Sequence, residues 1–307
     1  MEKLKILFVD TIHPLLKQKL EKQKHTCETA YNESKKSIQN RIHLYDGLII
    51  RSKFKIDKQF INDAKNLKFI ARAGSGLENI DVDYLKKKGI CCYNAGEGNK
   101  VAVAEHSLAM LLALFNNLYN AQSEVEKGLW KREENRGIEL SGKTIAIIGY
   151  GNTGSAFKKI LESFNVNILI YDKYLKTYPY KSSMEDIYKK ADIISLHIPL
   201  TKETKYIIDK KSIKRFNKSF YLINTSRGKC VKTQDLIFNL KNKKIIGACL
   251  DVVEEESSSF EKVNKKNIKE LTNMPNVIIT PHIAGWTIES NIKIAEKILE
   301  KINSDFP

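Results

Sequence analysis

Apolar and polar positions recur along this 307-residue chain in one order: a short, nearly continuous apolar run, a stretch with helical spacing, then another run. In the first third, KILFVD ends at Asp10, DGLIIRS at Arg51 and Ser52, KFIARAGSG turns at Arg72 to Gly76, and ICCYNAG turns at Asn94. Six further runs, TIAIIG, VNILIYD, DIISLHIP, SFYLINTSRG, KIIGACLDV and VIITPHIAG, end at Gly149, Asp172, His197, Arg227, Asp251 and His282. Runs of this kind between helical segments predict parallel strands covered by helices, in two sheets and hence two α/β domains. Open parallel sheets bind ligands outside the carboxyl ends of their strands, so the polar residues ending these runs are expected on one rim.

Between the two sets lies VAVAEHSLAMLLALFNNLYNAQSEVEKG, helical in spacing and apolar all round near 108–115, which predicts burial between domains or subunits and makes a homodimer or higher homo-oligomer the expected assembly. The last segment, ESNIKIAEKILEKI, has helical periodicity and is expected to return to the N-terminal domain. That domain would comprise 1–94 and 287–307, around a second domain at 95–286. The polar stretch ESSSFEKVNKKN, 256–267, reads as a surface loop.

A hydrophobic content of 42% suits two domains with cores of their own. No apolar run reaches the length of a membrane span, the longest being LAMLLALF, and MEKLKILFVD is too quickly charged for a signal peptide. A cytoplasmic protein with no membrane partner is expected. Cysteines at 27, 91, 92, 230 and 249 form no CxxC pair, so reduced thiols are expected and no metal site. The formal charge of +16 raises a nucleic-acid partner, but arginine occupies only seven of the 52 basic positions, and the lysines are spread along the chain and form no patch. No nucleic-acid partner is expected. Against so much lysine, an arginine at a strand end stands out as a planar fork for an anion.

Chemistry enters at Gly149-Tyr150-Gly151-Asn152-Thr153-Gly154, which breaks an apolar run and continues as a helical segment through Phe164. Gly149 permits a tight turn, Gly151 lets backbone amides approach a pyrophosphate, and Gly154 lets helix and strand pack closely. The following helix N-terminus favours phosphate. Asp172 ends the next run, where an acid accepts hydrogen bonds from an adenosine ribose and repels a 2′-phosphate, favouring NAD over NADP. Asp172 could instead be a turn or cap residue, and Lys173 could soften the repulsion.

A nicotinamide at this rim implies hydride transfer, which needs a proton donor and a group that fixes the reacting carbonyl. His282 is the candidate donor, with His197 and His106 as competitors. A carboxylate beside an imidazole favours its protonated form; spacing alone does not choose among Glu254, Glu255 and Glu256. Arg227 offers a bidentate clamp for a 2-oxo acid.

Nearly the whole chain resembles the D-isomer-specific 2-hydroxyacid dehydrogenases, through RAGSGLENID (72–81), NAGEGNKVAVAEH (94–106), ELSGKTIAIIGYGNTG (139–154), ADIISLHIPLTKET (191–204), INTSRG (223–228), LDVVEEE (250–256) and TPHIAGWT (280–287). The resemblance implies a Rossmann NAD-binding domain inserted in a flavodoxin-like substrate domain, both doubly wound parallel sheets. It places the catalytic arginine on Arg227, the histidine's acidic partner on Glu256 and the proton donor on His282. Implied cofactor contacts are Gly149, Gly151, Asn152, Thr153, Gly154, Asp172, His197, Ile198, Pro199, Thr225, Ser226, Arg227, Asp251, His282, Ala284 and Gly285, with Asp251 near the carboxamide. The backbone of Ser75 and Gly76 resembles the loop that receives the substrate carboxylate. Thr153, Lys232 and Ser257 depart from the family pattern, Ser257 standing where a proline normally follows the catalytic acid.

LIIRSKFKI (48–56) and ARAGSG (71–76) resemble family members that act on phosphoglycerate, implying that Arg51 and Arg72, with help from Lys53, bind a substrate phosphate. The expected reaction interconverts 3-phospho-D-glycerate and 3-phosphohydroxypyruvate, the entry to serine synthesis. Reduction of hydroxypyruvate, glyoxylate or pyruvate (to D-lactate) by the same triad remains open, as does an NAD-sensing binding protein like the corepressors built on this fold.

Overall fold

The computed structural model describes residues 3–256 and 265–307, in two compact units. The first comprises residues up to 100 and from 286 onward; the second comprises most of 101–285. In the first, strands β1 (Lys5–Phe8), β2 (Thr26–Thr29), β3 (Gly47–Ile50), β4 (Phe69–Arg72) and β5 (Cys91–Tyr93) alternate with helices α1 (Pro14–Lys22), α2 (Lys35–Arg41), α3 (Lys58–Asp63) and α4 (Val82–Lys87). The sheet is parallel throughout, in the order β2-β1-β3-β4-β5. Strand β2 is absent from the hydrophobic pattern because TCET lies at the sheet edge with Thr26 and Thr29 exposed, so nothing selects for an apolar run there.

Helix α5 (Gly96–Phe115) leads into the second unit and is followed by α6 (Leu118–Glu126), β6 (Thr144–Ile148), α7 (Asn152–Leu161), β7 (Asn167–Tyr171), α8 (Met184–Lys190), β8 (Ile193–Leu196) and α9 (Lys210–Arg215). Then come β9 (Phe220–Asn224), α10 (Thr233–Lys241), β10 (Ile245–Leu250), α11 (Lys265–Thr272) and β11 (Val277–Ile279), before α12 (Ile288–Asp305) joins the first unit. There Leu16 and Leu20 of α1 share a core with Ile294, Ile298 and Ile302 of α12. The second sheet is also parallel, ordered β11-β10-β9-β8-β6-β7, so the chain reverses direction across the sheet between β6 and β8. That switch opens a crevice beyond the strand ends.

Several sequence expectations need correction. The apolar helix breaks at Asn117, whose φ of +51° is left-handed, and becomes two helices. Its apolar run belongs to the core of the second unit, where Leu108, Leu111 and Phe115 pack with Ile145, Ile147 and Ile223. Helix α7 stops at Leu161, and Phe164 closes a turn onto it through its amide (3.0 Å). The polar stretch at 256–267 is not all loop, since α11 begins at Lys265; residues 257–264, including Ser257, lie outside the described residues. Among the described residues no single helix is long and apolar enough to cross a membrane.

Candidate active site

The glycine loop sits at the switch point. Gly149 leaves β6 with φ +94°, a left-handed conformation that favours glycine, and a Cβ there would strike the carbonyl of His197 at the end of β8. A Cβ on Gly154 would collide with the Gly149 carbonyl, so helix and loop touch backbone to backbone. At Gly151, by contrast, a Cβ would meet nothing within 4 Å. Open space lies over the loop where α7 begins with unpaired N–H groups, which fits a pyrophosphate. Asp172, after β7, accepts the Tyr150 amide of the loop at 2.8 Å and those of Tyr174 and Leu175 at 2.9 and 3.0 Å. Burial pushes its carboxyl up, but these backbone N–H groups outweigh burial and hold it below the ordinary carboxylate range. Asp172 therefore serves the turn and stays negatively charged beside the glycine loop.

Three loops after the adjacent strands β9, β10 and β11 carry the remaining polar residues. Gly228 lets the Arg227 loop approach the next one, since a Cβ there would strike the Val253 carbonyl. Arg227 Nη1 donates to the Ser226 carbonyl at 2.6 Å, and Asn224 Nδ2 donates to the Arg227 carbonyl at 3.0 Å. Ser226 is turned inward, its hydroxyl bonded to Asn224 Oδ1 (2.9 Å), while the Thr225 hydroxyl meets that of Ser107 (3.0 Å).

Of the three consecutive glutamates, Glu256 is the one that reaches His282, with Oε2 at 2.9 Å from Nδ1. Its Oε1 accepts the Val253 amide at 2.7 Å, which fixes the carboxylate. Glu254 accepts from Tyr206 and from the Thr233 amide, and Glu255 from Asn267 Nδ2 at 2.5 Å, so both serve neighbouring elements. The carboxylate accepts, so His282 Nδ1 carries hydrogen.

His282 has φ +57°, a conformation that non-glycine residues rarely adopt. Asp251, 1% exposed, holds it there: the Asp251 carbonyl accepts the His282 amide at 2.8 Å. The Asp251 carboxylate accepts from the Thr280 hydroxyl at 2.6 Å and from the amides of Ile283 and Ala284 at 2.8 and 2.9 Å. Because the Thr280 hydroxyl donates to Asp251, it accepts from His106 Nε2 at 2.9 Å. His106 thus braces the turn, a role with no signal in its spacing on α5. His197 is packed against Phe157 with Nε2 at 2.8 Å from the Ser195 hydroxyl, and burial pushes its imidazole down to about 3. It stays a neutral imidazole near neutral pH and is unfit as the acid. Ile198 lies over Gly149, and Pro199 offers its carbonyl to the Thr204 hydroxyl (2.6 Å).

In the first unit, the Asp10 carboxylate accepts the amides of Arg51, Ser52 and Lys53 at 2.6, 3.0 and 3.1 Å, gripping the turn after β3. Arg72 Nε donates to the Arg51 carbonyl at 3.1 Å. Lys53 Nζ donates to the carbonyls of Ala30 (2.9 Å) and Tyr31. Asn94 Nδ2 bonds the Ser75 carbonyl at 2.7 Å and the Ser75 hydroxyl bonds Asn99 at 2.8 Å, which pins the loop. The Ser75 and Gly76 amides donate to no other described group. Sequence reasoning gave no role to Asp10 or to Trp286, although both lie within motifs it quotes. Among the described residues, no group of three or more His, Cys, Asp or Glu could hold a metal, and all five thiols are free.

Residues 108–284 match the NAD binding domain of the D-isomer specific 2-hydroxyacid dehydrogenases. The chain is 35% identical over 260 residues to hydroxypyruvate reductase of Thermotoga maritima, covering 84% of this chain and 83% of that one. It is 34% identical over 270 residues to D-3-phosphoglycerate dehydrogenase of Bacillus subtilis, covering 86% of this chain and 50% of that one. It thus spans about half the length of the D-3-phosphoglycerate dehydrogenases it matches. Among solved structures, D-lactate dehydrogenase of Aquifex aeolicus, complexed with NAD and lactic acid, matches with a TM-score of 0.85 and 29% identity, covering 98% of this chain and 95% of that one. The glycine loop at the switch point and these likenesses converge: the chain belongs to the D-isomer specific 2-hydroxyacid dehydrogenase family, with NAD as its cofactor.

Proposed function

We propose that this chain interconverts 3-phospho-D-glycerate and 3-phosphohydroxypyruvate. The observation that carries the reading is the His282–Glu256 pair at 2.9 Å, an imidazole held in one tautomer beside a carboxylate. When bound, NAD supplies the hydride acceptor of the oxidation, and NADH the donor of the reduction. In reduction, His282 gives its Nε2 proton to the carbonyl oxygen, and Glu256 stabilises the imidazolium that precedes this transfer. In oxidation, neutral His282 removes the hydroxyl proton. Arg227 clamps the 2-oxo acid and polarises its carbonyl. We assign the carboxylate to the amides of Ser75 and Gly76, and the phosphate to Arg51 and Arg72. Asp251 serves as a positioning residue for His282.

The substrate assignment rests on two cations in a lysine-rich chain that place their forks at strand ends. A panel of 2-oxo acids followed by NADH absorbance tests it: 3-phosphohydroxypyruvate is expected to have the highest kcat/KM, and Arg51→Ala or Arg72→Ala to lower it by about 10–100-fold, at about 1.4 kcal/mol per decade. Equal use of phosphorylated and unphosphorylated hydroxypyruvate would remove the assignment. In its place would stand a hydroxypyruvate or glyoxylate reductase, a reading that the Thermotoga maritima hydroxypyruvate reductase favours because the match covers 83% of it.

A homodimer belongs to the same proposal, because α6 leaves Leu118, Tyr119 and Val125 exposed. Light scattering should report twice the 35.2 kDa chain mass; a monomer at working concentration rejects the dimer.

A further inference from the structure

Arg51 carries an unusual combination of restraint and unspent capacity. Its guanidinium lies over the Trp286 ring with the carbon 3.3 Å from the centroid, a cation–π contact that shields the fork on one side. None of its N–H donors meets an acceptor among the described residues. The acid whose charge bears on it, Asp10, is spent on three backbone amides, and the Arg51 carbonyl is tied to Arg72. The fork is therefore aimed and partly desolvated but not neutralised. Burial pushes it down to about 10, with Asp10 opposing, so it stays charged at neutral pH. A charged fork without a carboxylate partner is costly unless a ligand anion completes it. Trp286 is itself 62% exposed, so the indole gains little from burial, while it stays in contact with Arg51.

We propose that Trp286 is a positioning residue that holds the Arg51 guanidinium as an oxyanion receptor and thereby sets the preference for a substrate bearing a second, phosphate-like anion. This rests on the substrate reading above, but the two can fail separately. Preorganising one rotamer-rich arginine lowers the ordering cost of binding, so the effect belongs in KM and not in kcat.

The chain has two tryptophans, at 130 and 286, so Trp130→Phe leaves Trp286 as the only indole reporter. In that background, inorganic phosphate is expected to change the emission saturably, and adding Arg51→Ala to abolish the change. Trp286→Leu should raise KM for 3-phosphohydroxypyruvate about tenfold with kcat within about twofold, and leave KM for hydroxypyruvate unmoved. Trp286→Phe, which keeps a π face, should recover most of that loss. The proposal is overturned if Trp286→Leu leaves the phosphorylated KM unchanged while Arg51→Ala raises it, an outcome that keeps the substrate reading. It is also overturned if Trp286→Leu raises both KM values equally. If the wild-type enzyme does not distinguish the two substrates but phosphate still saturates the Trp286 signal through Arg51, the receptor stands and the substrate reading falls.

Discussion

Removing the imidazole of His282 lowers kcat for 2-oxo acid reduction by about two to four orders of magnitude, the usual contribution of a positioned acid–base group. The substitution of choice is His282→Asn, because φ is +57° at this position and asparagine tolerates the left-handed region better than alanine. The turn should survive, since its bonds run from backbone amides of 282, 283 and 284 to Asp251, and none uses the imidazole. Tryptophan-to-NADH energy transfer should therefore still report cofactor binding while turnover collapses. A His282→Asn enzyme that keeps near-normal kcat would refute the assignment. His197, buried and neutral, offers no substitute donor.

The second large effect is expected at Arg227. Arg227→Lys keeps the charge but replaces the planar fork by a point charge, so a carboxylate and carbonyl held together lose one of two donors. The kcat/KM should fall by about 10²–10³, the cost of removing one donor aimed at developing negative charge. Folding should be unaffected, because the loop is held by Asn224 through the Arg227 carbonyl and by the close approach of Gly228 to Val253, neither of which depends on the guanidinium. Melting temperature and steady-state kinetics together decide the matter. Wild-type kcat/KM in a folded Arg227→Lys protein would show that the fork does not touch the reacting group.

Much of this architecture is legible in one dimension. Ten of the eleven strands announce themselves as short apolar runs that end in a polar residue or a glycine. The exception, β2, lies at an edge with exposed threonines, where no burial constrains its composition. The break between α5 and α6 escaped notice because an apolar pattern continues across Asn117, whereas the backbone there turns left-handed. Glycines 149 and 154 are legible because close backbone approach there requires the absence of Cβ, a constraint that leaves a mark in the sequence.

What the amino-acid order by itself determined was the inventory: two parallel α/β sheets, a dinucleotide loop, and an arginine, acids and a histidine at strand ends. Tertiary structure alone decided how those groups are paired. Three successive glutamates are equivalent in sequence, yet Glu256 faces His282 while its neighbours face Thr233, Tyr206 and Asn267. Asp251 bonds the turn that carries His282, and Trp286 lies against Arg51, contacts that depend on distances between segments far apart in the chain. Burial periodicity is a local property and can be read from neighbours in sequence; the choice of a partner is a contact across the fold, and only folding brings the partners within reach.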